Sequence, residues 1–104
     1  MERQRIIDSI KQVAKDTLPQ GSTLLLYGSQ ARGDYHDGSD WDLLILLDKP
    51  KVTFNDYDVG YPFRELGWGI GEEINPQVYS KHEWGNYRIT PFYHNVEHDK
   101  IVLV

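Results

Sequence analysis

Two aspartates and a glycine–serine pair stand at the ends of a polar loop between two apolar runs, where they could hold a phosphate group and a metal ion. Gly28 and Ser29 follow the first run, and Asp40 and Asp42 open the second after ten further residues. In a strand, residues i and i+2 point to the same face, so we expect the two carboxylates to project together. Carboxylates only a few ångströms apart repel each other unless a cation lies between them. Because Mg²⁺ binds through one or two carboxylates together with substrate phosphates, this pair predicts a divalent-metal site.

Gly28 and Ser29 would supply the phosphate half of such a site. Glycine lets the backbone come close to a ligand, and Ser29 is predicted to be the N-cap of a short helix through Ala31. The free N–H groups at the start of a helix favour anions. The alternative is an ordinary turn followed by two solvated acids at a strand start. The spacing of the two halves, bounded by two strand-like runs, favours the functional interpretation.

The pattern of Gly28-Ser29, ten residues and Asp40-x-Asp42 resembles the signature of the nucleotidyltransferases related to DNA polymerase beta. The length and layout of the chain are similar to those of the minimal nucleotidyltransferase (MNT) domain of prokaryotes. The resemblance implies that Asp40 and Asp42 are catalytic and ligate Mg²⁺ or Mn²⁺. It also implies that five residues of the loop bind the nucleotide, namely Gly28, Ser29, Arg32, Gly33 and Ser39.

Members of this family that transfer nucleotides generally use a third carboxylate on a later strand, which completes a metal site and helps to deprotonate the acceptor hydroxyl. The corresponding positions of this chain hold Asn75, Pro76 and Gln77. Neutral amides bind Mg²⁺ more weakly than carboxylates do and cannot act as general bases at neutral pH. Glu73 has the right parity along the predicted strand and is the candidate for a third acid, although it lies two residues before Asn75.

The function implied by the resemblance is metal-dependent transfer of a nucleoside monophosphate, AMP from ATP, to a hydroxyl group. Because so small a chain has no substrate domain, we expect the acceptor to lie on a partner, and the resemblance suggests a HEPN-type toxin whose antitoxin is this chain. The alternative is a catalytically weak or inactive module of the same fold, which acts by protein binding or by regulatory nucleotide binding. The missing third carboxylate and the aromatic-rich segment 54–68 favour this alternative.

Composition limits the kind of protein that the chain can be. At 104 residues it has the size of a single nucleotidyltransferase domain, 1–104, with one core. Its net charge of −5 works against unspecific nucleic-acid binding, which depends on Lys and Arg. It has no cysteine for a disulfide framework and no apolar run long enough for a membrane span. We therefore expect a cytoplasmic protein without membrane contact.

The apolar pattern and the family resemblance together predict an α+β fold with a small mixed sheet of about four strands flanked by helices, the nucleotidyltransferase fold. An amphipathic helix covers residues 2–18, with Arg3 on its outward face. The runs 23–27 and 41–47 are nearly continuous in apolar residues, which is typical of strands covered on both faces. Weaker patterns predict a kinked or short helix over 55–68, a strand over 73–79, short helices near 80–87 and 92–97, and an edge strand over 100–104.

Some residue types in the chain allow two interpretations. Arg32 could bind phosphate or form a salt bridge with Asp34 or Asp37. The aromatic side chains of segment 54–68 could form a partner surface or a nucleobase platform, although core packing is the expected use. Two histidines, His94 and His98, lie four residues apart on a predicted helix. Because no third ligand accompanies them, we expect them to be exposed rather than metal-bound.

Overall fold

The computed structural model describes all 104 residues, which form five α-helices and four strands. The helices are α1 (Arg3–Thr17), α2 (Ser29–Arg32), α3 (Tyr61–Ile70), α4 (Lys81–Trp84) and α5 (Pro91–Asp99). The strands are β1 (Thr23–Tyr27), β2 (Trp41–Leu47), β3 (Ile74–Ser80) and β4 (Ile101–Val102). Two 3₁₀-helices, Phe54–Gly60 and Gly85–Tyr87, precede α3 and follow α4 respectively. None of the helices is long and apolar enough to cross a membrane.

The four strands form one mixed sheet in the order β3-β2-β1-β4. Strand β1 is antiparallel to both β2 and β4, whereas β2 and β3 are parallel. A parallel pair needs a crossover connection, and the first 3₁₀-helix and α3 provide it between β2 and β3. The predicted α+β class, with a mixed sheet of about four strands flanked by helices, is therefore confirmed.

Apolar side chains cover both faces of the sheet. On one face, helices α1 and α3 pack against β1 and β2 in a core that includes Ile10 and Phe63. Successive residues of a strand point to opposite faces, so Leu44 of β2 lies on the other side, where it packs with Trp84 of α4 and Val96 of α5. The prediction that both apolar strands are covered on both faces is confirmed.

Strands β1 and β2 have the predicted bounds, and α1 differs from its prediction by one residue at each end. Helix α1 ends because Leu18 has an extended backbone before Pro19, whose ring disfavours the helical conformation in the preceding residue.

The predicted outward position of Arg3 is wrong. Its side chain is half-buried, and its guanidinium lies 4.7 Å from the centroid of the Tyr35 ring. The predicted edge strand at the end of the chain is present as β4, which has two residues, and Leu103 and Val104 beyond it form further backbone hydrogen bonds with Leu24 of β1.

The predicted core packing of the aromatic side chains in segment 54–68 is wrong for most of them. Only Phe63 is buried, whereas Phe54 and Trp68 are 90% and 67% exposed. Tyr57 and Tyr61 are also exposed. Phe54 and Tyr57 lie in a 3₁₀-helix with three residues per turn, so they do not continue the apolar stripe of α3. Tyr61 and Trp68 lie in α3 but away from its buried face, which contains Phe63 and Gly67, and their rings pack against each other.

Strand β3 is an edge strand of the sheet and packs closely against the crossover. A Cβ atom on Gly60 would approach the Cγ atom of buried Pro76 to 3.0 Å. A Cβ atom on Gly67 would come within 2.5 Å of the Glu72 carbonyl oxygen and 3.2 Å of Ile74. Glycine at these two positions therefore lets the crossover lie directly on β3, which fixes the register of the sheet edge.

We expect Gly67→Ala to lower the free energy of unfolding by about 1–3 kcal/mol, because the new methyl group meets backbone that cannot turn aside. Gly69→Ala is the matched control, since Gly69 lies in the same helix with nothing within 4 Å of the position of a Cβ atom. Removal of that helical glycine should raise stability by about 0.5–1 kcal/mol. Urea unfolding followed by circular dichroism measures both changes. Equal effects of the two substitutions would contradict the close packing of α3 on β3.

Candidate functional site

An open polar cleft of about 460 Å³ lies where β1, α2 and β2 meet. It contains the carboxylates from the start of β2, the residues that follow β1 and part of the loop between α2 and β2. No apolar residue belongs to its lining, which consists of Gly28, Ser29, Arg32, His36, Gly38, Ser39, Asp40 and Asp42. The structure therefore brings together most of the predicted site residues. Gly33 and Glu73 are not part of this lining.

The backbone of Gly28 passes directly over the Asp42 carboxylate. A Cβ atom on Gly28 would lie 2.5 Å from Asp42 Oδ2, a distance that no side chain could keep. Gly28 also has a φ angle of +75°, which other residues rarely adopt. The approach follows from the antiparallel ladder of β1 and β2, in which Tyr27 is paired with Asp42. Glycine is thus required here for two independent reasons, backbone conformation and space.

The two aspartates differ in their surroundings, because Asp40 is exposed and Asp42 is half-buried. Burial raises the pKa of Asp42 above its usual value of 3.8, and the nearby Asp40 charge raises it further. The amide of Asn75 and the charge of Arg32 act in the opposite direction. Burial and the Asp42 charge raise the pKa of the neighbouring Tyr27 phenol to about 12. The cleft therefore has an excess of negative charge that a bound cation would relieve.

The predicted N-cap role of Ser29 is wrong by one position. Gly28 is the N-cap of α2, and its carbonyl oxygen accepts hydrogen bonds from the N–H groups of Ala31 and Arg32, both at 3.0 Å. Ser29 is the first helical residue and keeps its place in the cleft lining. The helix closes after one turn at Gly33, whose N–H donates to the Ser29 carbonyl oxygen at 3.0 Å. Gly33 therefore ends α2 and does not face the cleft.

Two hydrogen-bonded residues, Ser39 and Gln30, fix the loop before Asp40. The Ser39 hydroxyl accepts from the His36 N–H at 2.8 Å, and the Ser39 N–H donates to the His36 carbonyl oxygen at 2.9 Å. Gln30 is buried, and its amide nitrogen lies 3.4 Å from the Ser39 carbonyl oxygen. Arg3 of α1 donates to the side chain and the carbonyl oxygen of Gln30. Sequence reasoning missed Gln30 and Arg3, because no local pattern indicates a contact across 27 positions.

The guanidinium of Arg32, at the side of the cleft, binds two carboxylates. Its Nε atom lies 3.2 Å from Asp34 Oδ2, and its Nη1 atom lies 2.8 Å from Asp99 Oδ2. The predicted salt bridge with Asp34 is confirmed, whereas the alternative pair with Asp37 is not formed. The partner at the end of α5 was missed because it is 67 positions away in the sequence. Phosphate binding by Arg32 stays a prediction.

Asn75, not an acid, stands beside the aspartate pair on β3. In the parallel ladder Asn75 is the partner of Asp42, and its Nδ2 atom donates to Asp40 Oδ2 at 3.3 Å. Glu73 precedes β3 and is exposed, and its carbonyl oxygen accepts from the Trp41 N–H at 2.8 Å. Glu73 lines a neighbouring cavity next to α3, which shares Gly38 and Ser39 with the cleft. The structure therefore does not bring Glu73 into the cleft with the two aspartates.

The donor atoms of Asp40 and Asp42 fit an ion of the Mg²⁺ type. Carboxylate oxygens are the hard ligands that Mg²⁺ and Mn²⁺ accept, and the excess negative charge of the pair favours a divalent cation. No group of three His, Asp or Glu residues in the chain could hold a metal ion, so the pair would need further ligands from water or from a substrate phosphate. His94 and His98 are exposed, as expected, and belong to no such group.

Comparison with known proteins identifies the family and supports the fold. Residues 7–94 match the family of the nucleotidyltransferase domain. The crystal structure of a toxin–antitoxin with AMP-PNP is similar to this chain, with a TM-score of 0.64 and 16% identity over 94% of this chain and 72% of the other. A predicted nucleotidyltransferase from Sulfolobus solfataricus has a TM-score of 0.60 and 24% identity over 95% of this chain and 79% of its own. Among curated proteins, none matches the chain.

Fold and cleft together define an α+β domain with a carboxylate pair that faces a glycine–serine turn. Because the family match covers most of the sequence, the chain belongs to the nucleotidyltransferase domain family. At their low identities the two solved structures show only that the fold is the same. The resemblance drawn from the Gly-Ser and Asp-x-Asp pattern is therefore confirmed at the level of the family.

The raised pKa of Asp42 leads to a pH-dependent prediction for stability. Because the folded state binds this proton more tightly than the unfolded chain, stability falls as the pH rises from below 3.8 through the raised pKa. We expect Asp42→Asn to be more stable than the wild type at pH 7, and the difference to disappear at a pH below 3.8, where both side chains are neutral. Urea unfolding at the two pH values measures this difference.

Asp37→Asn controls for the change in net charge, since it removes one exposed acid from the loop that precedes β2. It should not reproduce the gain at pH 7. A wild type that is as stable as Asp42→Asn at pH 7 would contradict the electrostatic cost that we assign to this carboxylate.

Proposed function

We propose that this chain is a metal-dependent nucleotidyltransferase that moves a nucleoside monophosphate, AMP from ATP, to a hydroxyl group on a protein partner. The observation that carries the proposal is the convergence of Asp40 and Asp42 with Gly28 and Ser29 in one open polar cleft. Membership of the nucleotidyltransferase domain family supports the reaction class. The cleft is open and has no apolar wall, which suits a triphosphate better than an apolar small molecule.

The residues of the cleft have separate tasks in this reaction. Ser29 and the neighbouring backbone would bind the phosphates, because Gly28 removes the side chain that would keep a ligand away. Asp40 and Asp42 would hold Mg²⁺ or Mn²⁺, which when bound offsets the charge on the attacking and leaving oxygens. The acceptor oxygen would form its bond to the α-phosphorus as the bond to pyrophosphate breaks. The acceptor hydroxyl would lose its proton as this bond forms, and the neutral amide of Asn75 cannot serve as the general base that takes it.

A protein acceptor is proposed from the structural similarity of the chain. One of the similar structures is that of a toxin–antitoxin with AMP-PNP, which contains both a partner protein and an ATP analogue. We therefore propose that this chain is the antitoxin of a pair and that its acceptor is a toxin, which the family resemblance suggests is of the HEPN type.

A second candidate function rests on Asn75. The absence of a carboxylate beside Asp42 in the ladder favours a catalytically weak or inactive module that acts by binding a protein or a regulatory nucleotide. In that case the cleft would bind ATP, or would keep only the shape of a nucleotide site, and no group would be transferred. The two functions differ in the effect of nucleotide and metal together, which can be measured directly.

We expect ATP with Mg²⁺ or Mn²⁺ to raise the thermal unfolding midpoint of the wild type. A ligand at a hundred times its dissociation constant adds about 2.7 kcal/mol of stability, and each kcal/mol moves the midpoint of a domain of this size by about 4–8 °C. The double variant Asp40→Asn/Asp42→Asn should lose this rise, because it removes both carboxylates. Transfer of the α-phosphate label from ATP to a co-purified partner would then separate the enzyme from the regulatory module. No rise with any nucleotide would contradict the proposed enzyme and leave the protein-binding module.

We expect Asn75→Asp to increase the metal response of the protein, that is, the rise of the thermal unfolding midpoint on addition of Mg²⁺. A third carboxylate beside Asp42 should lower the midpoint without metal, because like charges repel, and should increase the rise on addition of Mg²⁺. Transfer activity, if the chain is an enzyme, should increase. Gln77→Glu is the matched control, since it adds the same charge two residues further along the same face of β3. A metal response that is the same in both variants would contradict the placement of Asn75 at the site.

A further inference from the structure

A further cavity, of about 330 Å³, lies on the β3 edge of the sheet, and three of its seven lining residues are tyrosines. Tyr79 comes from β3, Tyr57 from the first 3₁₀-helix and Tyr87 from the second. Gln77 and Glu83 are the only other polar side chains in the lining. This aromatic cavity shares no lining residue with the polar cleft of the aspartates, so it is a separate feature of the molecule.

Two of the three tyrosine rings, those of Tyr79 and Tyr87, are in direct contact. Tyr79 and Tyr87 stand at 81° to each other with their centroids 4.9 Å apart. The Tyr79 ring also packs against Trp84, whose ring centroid is 5.1 Å away. Tyr57 lines the same cavity and is 59% exposed. Tyrosine rings carry negative charge density on their faces, and the packing of Tyr79 against its neighbours restricts its motion.

Glu83 supplies a negative charge to the cavity that the chain itself does not balance. Its Oε1 atom accepts a hydrogen bond from the Val52 N–H at 3.2 Å, which holds the side chain in place. No Lys, Arg or His side chain forms an ion pair with Glu83, and none lines the aromatic cavity. The lining therefore combines aromatic faces with an unpaired carboxylate, and it repels anions such as phosphate groups.

The geometry points to the binding of a cationic side chain, a guanidinium or an ammonium group of a partner protein, in the aromatic cavity. A cation within about 6 Å of a tyrosine ring centroid is attracted by the ring quadrupole, and the attraction grows as water is excluded. The carboxylate of Glu83 would neutralise the charge and accept a hydrogen bond from it. The net charge of −5 on the whole chain also favours a basic partner.

The position of the aromatic cavity relative to the cleft suits the acceptor rather than the nucleotide. In the sheet order the predicted phosphate-binding residues follow β1, on one side of Asp42, whereas Asn75 and Tyr79 lie on β3, on the other side. Asn75 and Tyr79 are four positions apart along β3, which is about 13 Å. A protein whose hydroxyl group reaches the aspartates could therefore place a basic side chain in this cavity. That the partner is the acceptor rests on the proposed function, but the cation site itself does not.

Nuclear magnetic resonance titration of the tyrosine ring signals tests the cation site without any nucleotide. The probes are N-acetyl-arginine amide and N-acetyl-lysine amide, each with one positive charge, and N-acetyl-citrulline amide as the neutral analogue of the first. We expect saturable shifts of Tyr57, Tyr79 and Tyr87 with a cationic probe and none with citrulline amide. Shifts of equal size with the neutral probe, or no saturable shift with either cation, would overturn the proposal. Saturable shifts of the same rings with adenosine would overturn it in favour of a nucleobase site.

Two pairs of variants make the test specific. Glu83→Gln keeps an oxygen that can accept a hydrogen bond from the Val52 N–H but removes the charge. It should lower the affinity for the cationic probe by about threefold or more. Glu65→Gln removes the same charge from exposed surface outside the cavity and should have no effect. Tyr57→Ala should also lower the affinity for the cationic probe. Tyr61→Ala removes a similarly exposed ring outside the cavity and should leave that affinity unchanged. Equal affinities within each pair would overturn the assignment, even if the chain proved to be an active nucleotidyltransferase.

Discussion

The contact between the backbone of Gly28 and the carboxylate of Asp42 is the constraint on which the rest of the site depends. The antiparallel pairing of β1 with β2 sets it, because Tyr27 and Asp42 are opposite each other and the chain must turn at the next residue. Only glycine fits there, and its positive φ angle directs the chain into the single turn of α2. The glycine–serine turn and the carboxylate pair are therefore one structural unit, although ten residues separate them in the sequence.

This unit explains which parts of the fold could be predicted. The strands β1 and β2 are nearly continuous apolar runs, so their positions followed from the residues themselves, and the alternation of Asp40 and Asp42 placed both carboxylates on one face. The capping residue of α2 was predicted one position too late. A serine is the usual N-cap, and here the close approach to Asp42 decides in favour of the glycine before it.

What could not be predicted depends on contacts between distant parts of the chain. The pairing of Arg32 with Asp99 and the hydrogen bonds of Arg3 to Gln30 leave no periodic trace in the sequence. Nor could the register of the parallel pair, which puts Asn75 beside Asp42, be derived from the composition of β3. The aromatic segment before α3 was placed in the core because its spacing approximates a helical stripe, but the 3₁₀ geometry turns Phe54 outward.

Buried Pro76, in the middle of the edge strand β3, has a consequence for how other chains can approach this sheet. Proline has no N–H group, so the outer edge cannot form an unbroken ladder with an added strand, and Gly60 of the crossover packs directly against its ring. Natural sheets use such prolines and covering segments to prevent edge-to-edge aggregation. The same feature hinders self-association of this chain through strand pairing at the β3 edge. It also means that a partner on this side must be recognised through side chains rather than through main-chain pairing.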